Sequence, residues 1–288
     1  MKDFLRLIRV HQWVKNFFLY VPAFFGGVLI NQEIFKNLTI GFFAFSFVTS
    51  AVYILNDYKD IEKDKLHPEK KDRPLASGAV DKKQALVIFI LMLLAGLTIA
   101  YFLNFYFFLI TLFYFIMNIA YTLRLKDTPI IDVSIISTGF LLRIFAGGVI
   151  SEVIVSKWLI LLTFLLAMLL ALAKRRSEYK VFLTGKKIRK SIKGYNLDFI
   201  NVSMVMMASV TVVSYIMYTV SIEVIQRIGN DYLYITSFFV IMGIMRYLQL
   251  TLVYDRSGSP TKVLLKDKMT QILILGWIFV FVILLYVI

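Results

Sequence analysis

The densest chemistry in the 288-residue chain lies in Leu55-Asn56-Asp57-Tyr58-Lys59-Asp60-Ile61-Glu62-Lys63-Asp64. On a helix, Asp57, Asp60 and Asp64 stand at i, i+3 and i+7, on one face, with Asn56 beside it. Three carboxylates so close repel one another. A hard dication such as Mg2+ removes the repulsion and takes oxygen ligands, and substrate phosphates commonly complete its shell. The spacing therefore predicts a Mg2+ site at Asn56, Asp57, Asp60 and Asp64, and through it a diphosphate substrate. The alternative is a solvated helix end with Asp60–Lys63 and Asp60–Lys59 pairs, of the weakly stabilising surface kind.

The run that follows, His67-Pro68-Glu69-Lys70-Lys71-Asp72-Arg73-Pro74-Leu75-Ala76-Ser77-Gly78, cannot continue a helix through two prolines and a glycine. It brings Lys70, Lys71 and Arg73 beside the acidic face. Arg73 suits phosphate through its forked donors. His67 before Pro68 is expected to be structural.

Only a membrane explains the elements that must carry these residues. Hydrophobic residues make up 59% of the chain and charged residues 17%, with a mean hydropathy of +0.78. A soluble domain carries about 25% charge, and lipid is the natural solvent for so much apolar side chain. Apolar runs fall near 14–35, 38–55, 84–103, 105–123, 130–150, 157–173, 200–222, 231–253 and 270–288. They predict an all-α integral membrane bundle of nine transmembrane helices forming a single catalytic domain over 1–288. The first run is the weakest, since Pro22 and Gly26-Gly27 interrupt it, and the third and fourth join as a hairpin at Asn104. The N-terminus lacks the apolar core and cleavage site of a signal peptide. The absence of cysteine excludes disulfides and thiolate metal sites.

With the N-terminus inside, segments 1–16, 56–83, 124–132, 174–199 and 254–268 are cytoplasmic and hold 27 of the 32 Lys and Arg. Outside turns hold Lys36, Lys157 and Arg227. That asymmetry sets the orientation in the cell (inner or plasma) membrane. It also accounts for the net charge of +14 through topology and anionic headgroups, so no nucleic acid is expected as a partner. Fourteen of the 18 Asp and Glu fall inside as well, which topology does not require. The cytoplasmic mouth therefore looks like a site that handles both ions.

Arg143 and Arg246 lie within spans. Arg143 is about 16 Å along the axis from Asp132, on the same helix face. A charge at that depth marks function by default and needs a partner inside the bundle. Arg246, nearer a helix end beside Gln249, is explained by snorkelling. Lys15 and Asn16 enter the membrane next to Trp13, as an interfacial anchor or as site residues. Lys174 and Glu178 form an i,i+4 pair within a cluster that an ordinary stop-transfer signal would also produce, and Lys186–Lys190 reads as a lipid-facing basic patch.

The run NDYKDIEKDKLHPEKKDRPLASG resembles the first acidic motif of the UbiA-type intramembrane prenyltransferases. It is most similar to the polyprenyl-phosphate (decaprenyl-phosphate) 5-phosphoribosyltransferase branch. Further stretches carrying the likeness are Arg9 to Asn16, Tyr121 to Lys126, Asp132 to Gly148 with Ala146-Gly147-Gly148, and Ala173 to Glu178. It covers residues 5–180 well. Ser259-Pro260 through Asp267 is familiar too, within a less distinctive last hundred residues. One departure from the superfamily is informative: after the sixth span stands Lys174-Arg175-Arg176-Ser177-Glu178, with no second DxxxD.

The resemblance implies Mg2+-dependent transfer of a 5-phosphoribosyl group from phosphoribosyl pyrophosphate to a polyprenyl phosphate, releasing diphosphate. It implies Asp57, Asp60 and Asp64 as catalytic metal ligands. Lys15, Asn16, Asn56, Arg73, Tyr121, Lys126, Asp132, Arg143, Lys174, Arg175 and Glu178 would bind substrate. The alternatives are a UbiA-type prenyltransferase using a polyprenyl diphosphate and a non-enzymatic transporter. A transporter would gather its charges near the midplane.

Overall fold

The computed structural model describes residues 2–66, 70–185, 190–255 and 266–286, and among these no strand occurs. The helices are α1 (Lys2–Leu7), α2 (Val21–Phe25), α3 (Gln32–Lys59), α4 (Ile61–Lys65), α5 (Lys82–Leu103) and α6 (Phe105–Leu123). They continue as α7 (Ile131–Ser151), α8 (Lys157–Leu183), α9 (Leu197–Thr219), α10 (Ile222–Ile228), α11 (Ser237–Leu252) and α12 (Lys268–Tyr286). Among the described residues eight segments are long and apolar enough to span a bilayer: α3, α5, α6, α7, α8, α9, Asp231–Leu252 and α12.

The first expected span is the exception. Residues Val10–Tyr20 wind as a 3₁₀ helix, α2 follows, and Gly26-Gly27 ends the run. Pro22 can sit at the start of α2 but not in the middle of one long helix. The run nevertheless travels antiparallel along α3. Arg9 meets Asp57, Trp13 meets Ser50, Asn16 meets Ser46, and Tyr20 meets Thr39. A 3₁₀ helix repeats every three residues, so Trp13, Asn16 and Leu19 share one side; Asn16 and Leu19 are buried.

The chain divides into two compact units, Met1–Leu125 with Leu141–Val155, and Lys126–Phe140 with Ser156–Ile288. In the first, α3 is central and packs chiefly on α5. Small residues let the helices approach, as membrane packing requires. A methyl on Gly96 would meet the Ala44 carbonyl at 2.7 Å. A methyl on Gly147 would lie 1.9 Å from the Leu19 carbonyl, so the Ala-Gly-Gly stretch of α7 seats the N-terminal run directly against its backbone. The α5–α6 hairpin turns on Asn104, whose side chain accepts from the Tyr106 and Phe107 amides at 2.8 and 3.1 Å.

In the second unit α8 packs on α9, and α11 on α9 and α12. Leu169, Leu172, Ile200, Met204 and Leu250 form its core. Helix α8 runs ten residues past its expected apolar end, to Leu183, so Lys174 to Glu178 are helical rather than in a loop. Arg246 has an ion-pair partner beyond Gln249. It grips Asp267 through Nε and Nη2 at 3.1 and 2.7 Å and holds that carboxyl well below the usual carboxylate range. His67–Glu69, Lys186–Arg189 and Ser259–Pro260 lie outside the described residues.

Candidate active site

In the first unit the acidic motif straddles a break. Helix α3 ends at Lys59, and Asp60 links it to α4. The backbone still bonds through the break, Asp60 to Asn56 at 3.0 Å and Asp64 to Asp60 at 2.8 Å. Two of the three carboxylates therefore converge, and both are buried. Asp57 accepts from Arg9 through both oxygens, at 2.6 and 2.8 Å from Nη2 and 3.2 Å from Nε. Arg73 Nη1 bridges Asp57 at 3.0 Å and Asp64 at 2.6 Å. Asp60 pairs loosely with Lys63 at 3.9 Å. Lys59 turns away and caps α6 through the carbonyls of Thr122 and Leu123.

Among the described residues no group of three His, Cys, Asp or Glu stands poised around a metal. Asp57 and Asp64 share Arg73, while Asp60 stands apart with Lys63. The donor set still suits a hard cation. Asp57 and Asp64 already share one cationic nitrogen, and the groups are carboxylate and amide oxygens.

Arg73 is delivered by a folded loop. Ser77 N–H donates to the Arg73 carbonyl and Val80 N–H to that of Pro74. Leu75 and Val80 pack with Leu7, Ile8, Ile54 and Ile61. Arg6 fastens α1 to the same loop through the Asp72 carbonyl at 2.6 Å. Arg9 adopts a left-handed backbone, φ 53° and ψ 49°, uncommon outside glycine, which turns its side chain back onto Asp57. Lys70 is half-buried and Lys71 exposed.

Deeper in the same unit Arg143 is buried and faces the bundle, as its depth requires. Nε donates to Asn16 Oδ1 at 2.8 Å and Nη2 to the Tyr114 hydroxyl at 3.1 Å. Its guanidinium lies 5.1 and 4.9 Å from the Phe45 and Tyr114 ring centres. Hydrogen bonds to a charge contribute about 1.5–3 kcal/mol each, and a desolvated cation–π contact about 2. Together they offset the few kcal/mol of a mid-membrane charge. Asn16 also donates to Ser46 and Thr49, so it anchors Arg143 instead of opening to substrate. Lys15 is half-buried. Tyr121 is half-buried at the end of α6.

The second unit holds a separate knot. Asp132 and Arg175 are both wholly buried, with Arg175 Nε 2.8 Å from Asp132 Oδ2. Arg175 Nη1 also pairs with Glu178, one turn on. Asp132 accepts from Tyr195 at 2.7 Å and Ser191 at 3.1 Å. Burial, then the hydrogen bond to Asp132, push the Tyr195 hydroxyl well up, so it stays protonated and donates. Tyr195 in turn accepts from the Ile130 amide at 2.7 Å, which steadies a left-handed Ile130, φ 66°. Nη2 of Arg175 has no hydrogen-bond partner among the described residues. Lys174 is exposed and Lys126 buried. Arg176 is structural, donating to Asn201, the Thr251 carbonyl and Asp255 at 2.9, 2.7 and 2.6 Å.

Arg9, Tyr53, Tyr114, Ser191 and Tyr195 escaped the sequence reading. Arg9 and Tyr53 had a findable signal: Tyr53 is one turn before Asp57, and Arg9 opens the Arg9–Asn16 stretch.

Eight apolar spans among the described residues mark a multi-pass membrane protein, and its relatives make it a membrane transferase. Residues 19–266 match the UbiA prenyltransferase family, and the chain belongs to it. It is 30% identical over 288 residues to the decaprenyl-phosphate phosphoribosyltransferase of Corynebacterium glutamicum, covering 98% of this chain and 86% of that one. It is 28% identical to the decaprenyl-phosphate phosphoribosyltransferase of Mycolicibacterium smegmatis, covering 95% and 89%. The fold is shared with a UbiA homologue from Archaeoglobus fulgidus solved with DMAPP and Mg2+, at a TM-score of 0.72 and 21% identity, covering 99% of this chain and 100% of that one.

Proposed function

We propose that this transferase moves a 5-phosphoribosyl group from phosphoribosyl pyrophosphate to a polyprenyl phosphate and releases diphosphate. The observation that carries the reading is Arg175. It stands where a second acidic motif would hold a second metal, and its Nη2 edge is a buried donor with no partner among the described residues. A buried donor in that state is suited to an anionic oxygen. Phosphoribosyl pyrophosphate carries a diphosphate and a separate phosphate, which call for metal-holding carboxylates and for basic donors respectively. The names of the Corynebacterium and Mycolicibacterium relatives support the same reading.

Asp57, Asp60 and Asp64, with Asn56, would hold Mg2+, which when bound offsets the charge of the departing diphosphate. Arg9 orients Asp57, and Arg73 can exchange carboxylate for phosphate oxygens, which its fork fits equally. Lys15, Arg143 and Tyr121 in the first unit, and Lys126, Asp132, Lys174, Arg175 and Glu178 in the second, bind or position substrate phosphates. The acidic end of α3 faces the cytoplasm of the cell membrane, by the charge asymmetry of the loops.

Mass spectrometry of lipids formed by the purified protein from labelled phosphoribosyl pyrophosphate and polyprenyl phosphate tests the reading. A Mg2+-dependent phosphoribosyl lipid is expected. Turnover of a prenyl diphosphate alone would transfer the case to a conventional prenyltransferase.

A further inference from the structure

Two short connecting segments of the second unit are clasped together at its buried knot. One is the turn at 128–130 that leads into α7. The other is the 3₁₀ turn Lys190–Gly194, with Tyr195 directly after it. That second turn packs on α8 and buries Ser191 and Ile192, and Tyr195 is buried with them. Gly194 permits the close approach, since a methyl there would lie 2.3 Å from Cγ of Pro129. Ile130 next to it takes a left-handed backbone, φ 66°, an outlier for a β-branched residue. Such a backbone persists only where its surroundings over-determine it. Here the Tyr195 hydroxyl accepts from the Ile130 amide at 2.7 Å. The same oxygen donates to Asp132 Oδ1 at 2.7 Å. One hydroxyl therefore fixes both the strained turn and the carboxylate two residues beyond it.

Asp132 passes that order on to Arg175. Its Oδ2 lies 2.8 Å from Nε of Arg175 and accepts from Ser191 at 3.1 Å. Glu178 pairs with Nη1. A guanidinium is planar, so holding two of its nitrogens sets the direction of the third. The third, Nη2, is the buried donor with no hydrogen-bond partner among the described residues. Glu178 shares α8 with Arg175 and moves with it. Asp132 instead ties the guanidinium to α7, and Tyr195 holds Asp132 in place.

We propose that Tyr195 is a positioning residue for the transfer reaction: through Asp132 it sets the plane of Arg175 and aims Nη2 at a phosphate oxygen of the substrate. The proposal rests on the reading of Arg175 as a donor to a substrate anion. Tyr195 acts only through Arg175. Arg175 is wholly buried, so an anion reaches Nη2 only as a covering segment yields. The guanidinium keeps its aim through that movement because α7 and α8 hold it from two sides. A phenylalanine at 195 fills the same space but releases Ile130 and Asp132 together.

The test uses full-length protein in lipid nanodiscs, with Tyr195→Phe, Gly194→Ala and Arg175→Lys. Arg175→Lys keeps a cation beside Asp132 and loses the Nη2 edge. Steady-state kinetics reads KM for phosphoribosyl pyrophosphate and kcat separately. Tyr195→Phe should raise KM about fivefold or more and leave kcat within about twofold, the pattern of a lost binding contact. A purely structural role would lower the folded fraction, and with it kcat, at unchanged KM. Gly194→Ala removes no polar group but forces the two turns apart, and should raise KM as well. Adding Tyr195→Phe to Arg175→Lys should raise KM no further than Arg175→Lys alone, because both changes act on one group. A fall in kcat at unchanged KM in Tyr195→Phe, or additive effects in the double variant, overturns the proposal. A second arm is independent of the donor: ribose 5-phosphate without Mg2+ is titrated by calorimetry into wild type and Tyr195→Phe. A Kd weakened about fivefold or more in the variant supports the positioning role even if phosphoribosyl pyrophosphate is not turned over. Equal affinity in the two proteins overturns it and leaves the phosphoribosyl-transfer reading standing.

Discussion

The two units solve opposite electrostatic problems. At the end of α3 one carboxylate, Asp57, is gripped by two arginines; within α8 one arginine, Arg175, is gripped by two carboxylates. Solvent access separates them further. Arg9 and Arg73 keep 16% and 23% of their side chains exposed, whereas Arg175 and Asp132 keep none. Partners that touch solvent can be exchanged for a ligand at little cost. A fully buried pair cannot, because removing one member strands the other in a low dielectric. The first knot is therefore suited to turnover and the second to holding geometry, with only the Nη2 edge of Arg175 left to offer.

The sharpest way to break this contrast is Arg175→Leu. It leaves Asp132 buried and uncompensated and should lower stability by about 3–5 kcal/mol, the usual result of breaking a buried pair. Thermal unfolding in detergent reads the loss, and a second change, Asp132→Asn, should recover part of it. Unchanged stability would show that the second knot is as replaceable as the first. Tyr195→Phe removes the hydroxyl bridge between Asp132 and the Ile130 amide, and should cost about 1–3 kcal/mol in the same assay.

Arg73→Ala should behave differently. Asp57 keeps Arg9 but the buried Asp64 loses its Arg73 partner, so stability should fall by about 1–3 kcal/mol, less than for Arg175→Leu. Phosphoribosyl transfer should nevertheless fall by about tenfold or more, as expected for loss of a forked phosphate donor. A stable variant with full activity would remove Arg73 from the site. Asp60→Asn and excess chelator should each abolish most transfer while leaving the unfolding temperature in place.

The smallest effect belongs to Asp255, half-exposed, whose carboxyl Lys180 and then Arg176 hold below the usual carboxylate range. A depressed folded value means that its stabilisation is present above the unfolded value, near pH 3.9, and disappears as pH falls through the lower folded one. Asp255→Asn should then leave unfolding unchanged in strongly acidic buffer, where the wild-type group is already protonated, and only slightly lowered near pH 7. A large effect at neutral pH would mean that the outer pair matters as much as the buried knot.

Much of this protein was legible without coordinates because it is local. Apolar runs long enough to cross a bilayer, the turn at Asn104 and the i, i+3, i+7 acidic spacing depend on neighbours in the chain, and the membrane enforces them through the backbone's need for internal hydrogen bonds. Even the need of Arg143 for an interior partner followed from depth alone. What only the tertiary structure decided is whom each charge meets. Asp57 finds Arg9 across 48 residues, Arg143 finds Asn16 across 127, and Asp132 finds Tyr195 across 63. Gly147 lets the first apolar run lie against α7, and Arg246 grips Asp267 across 21 residues. Charges are satisfied by whichever group the packing of distant helices brings within hydrogen-bond distance, and no period or composition in the sequence encodes that proximity.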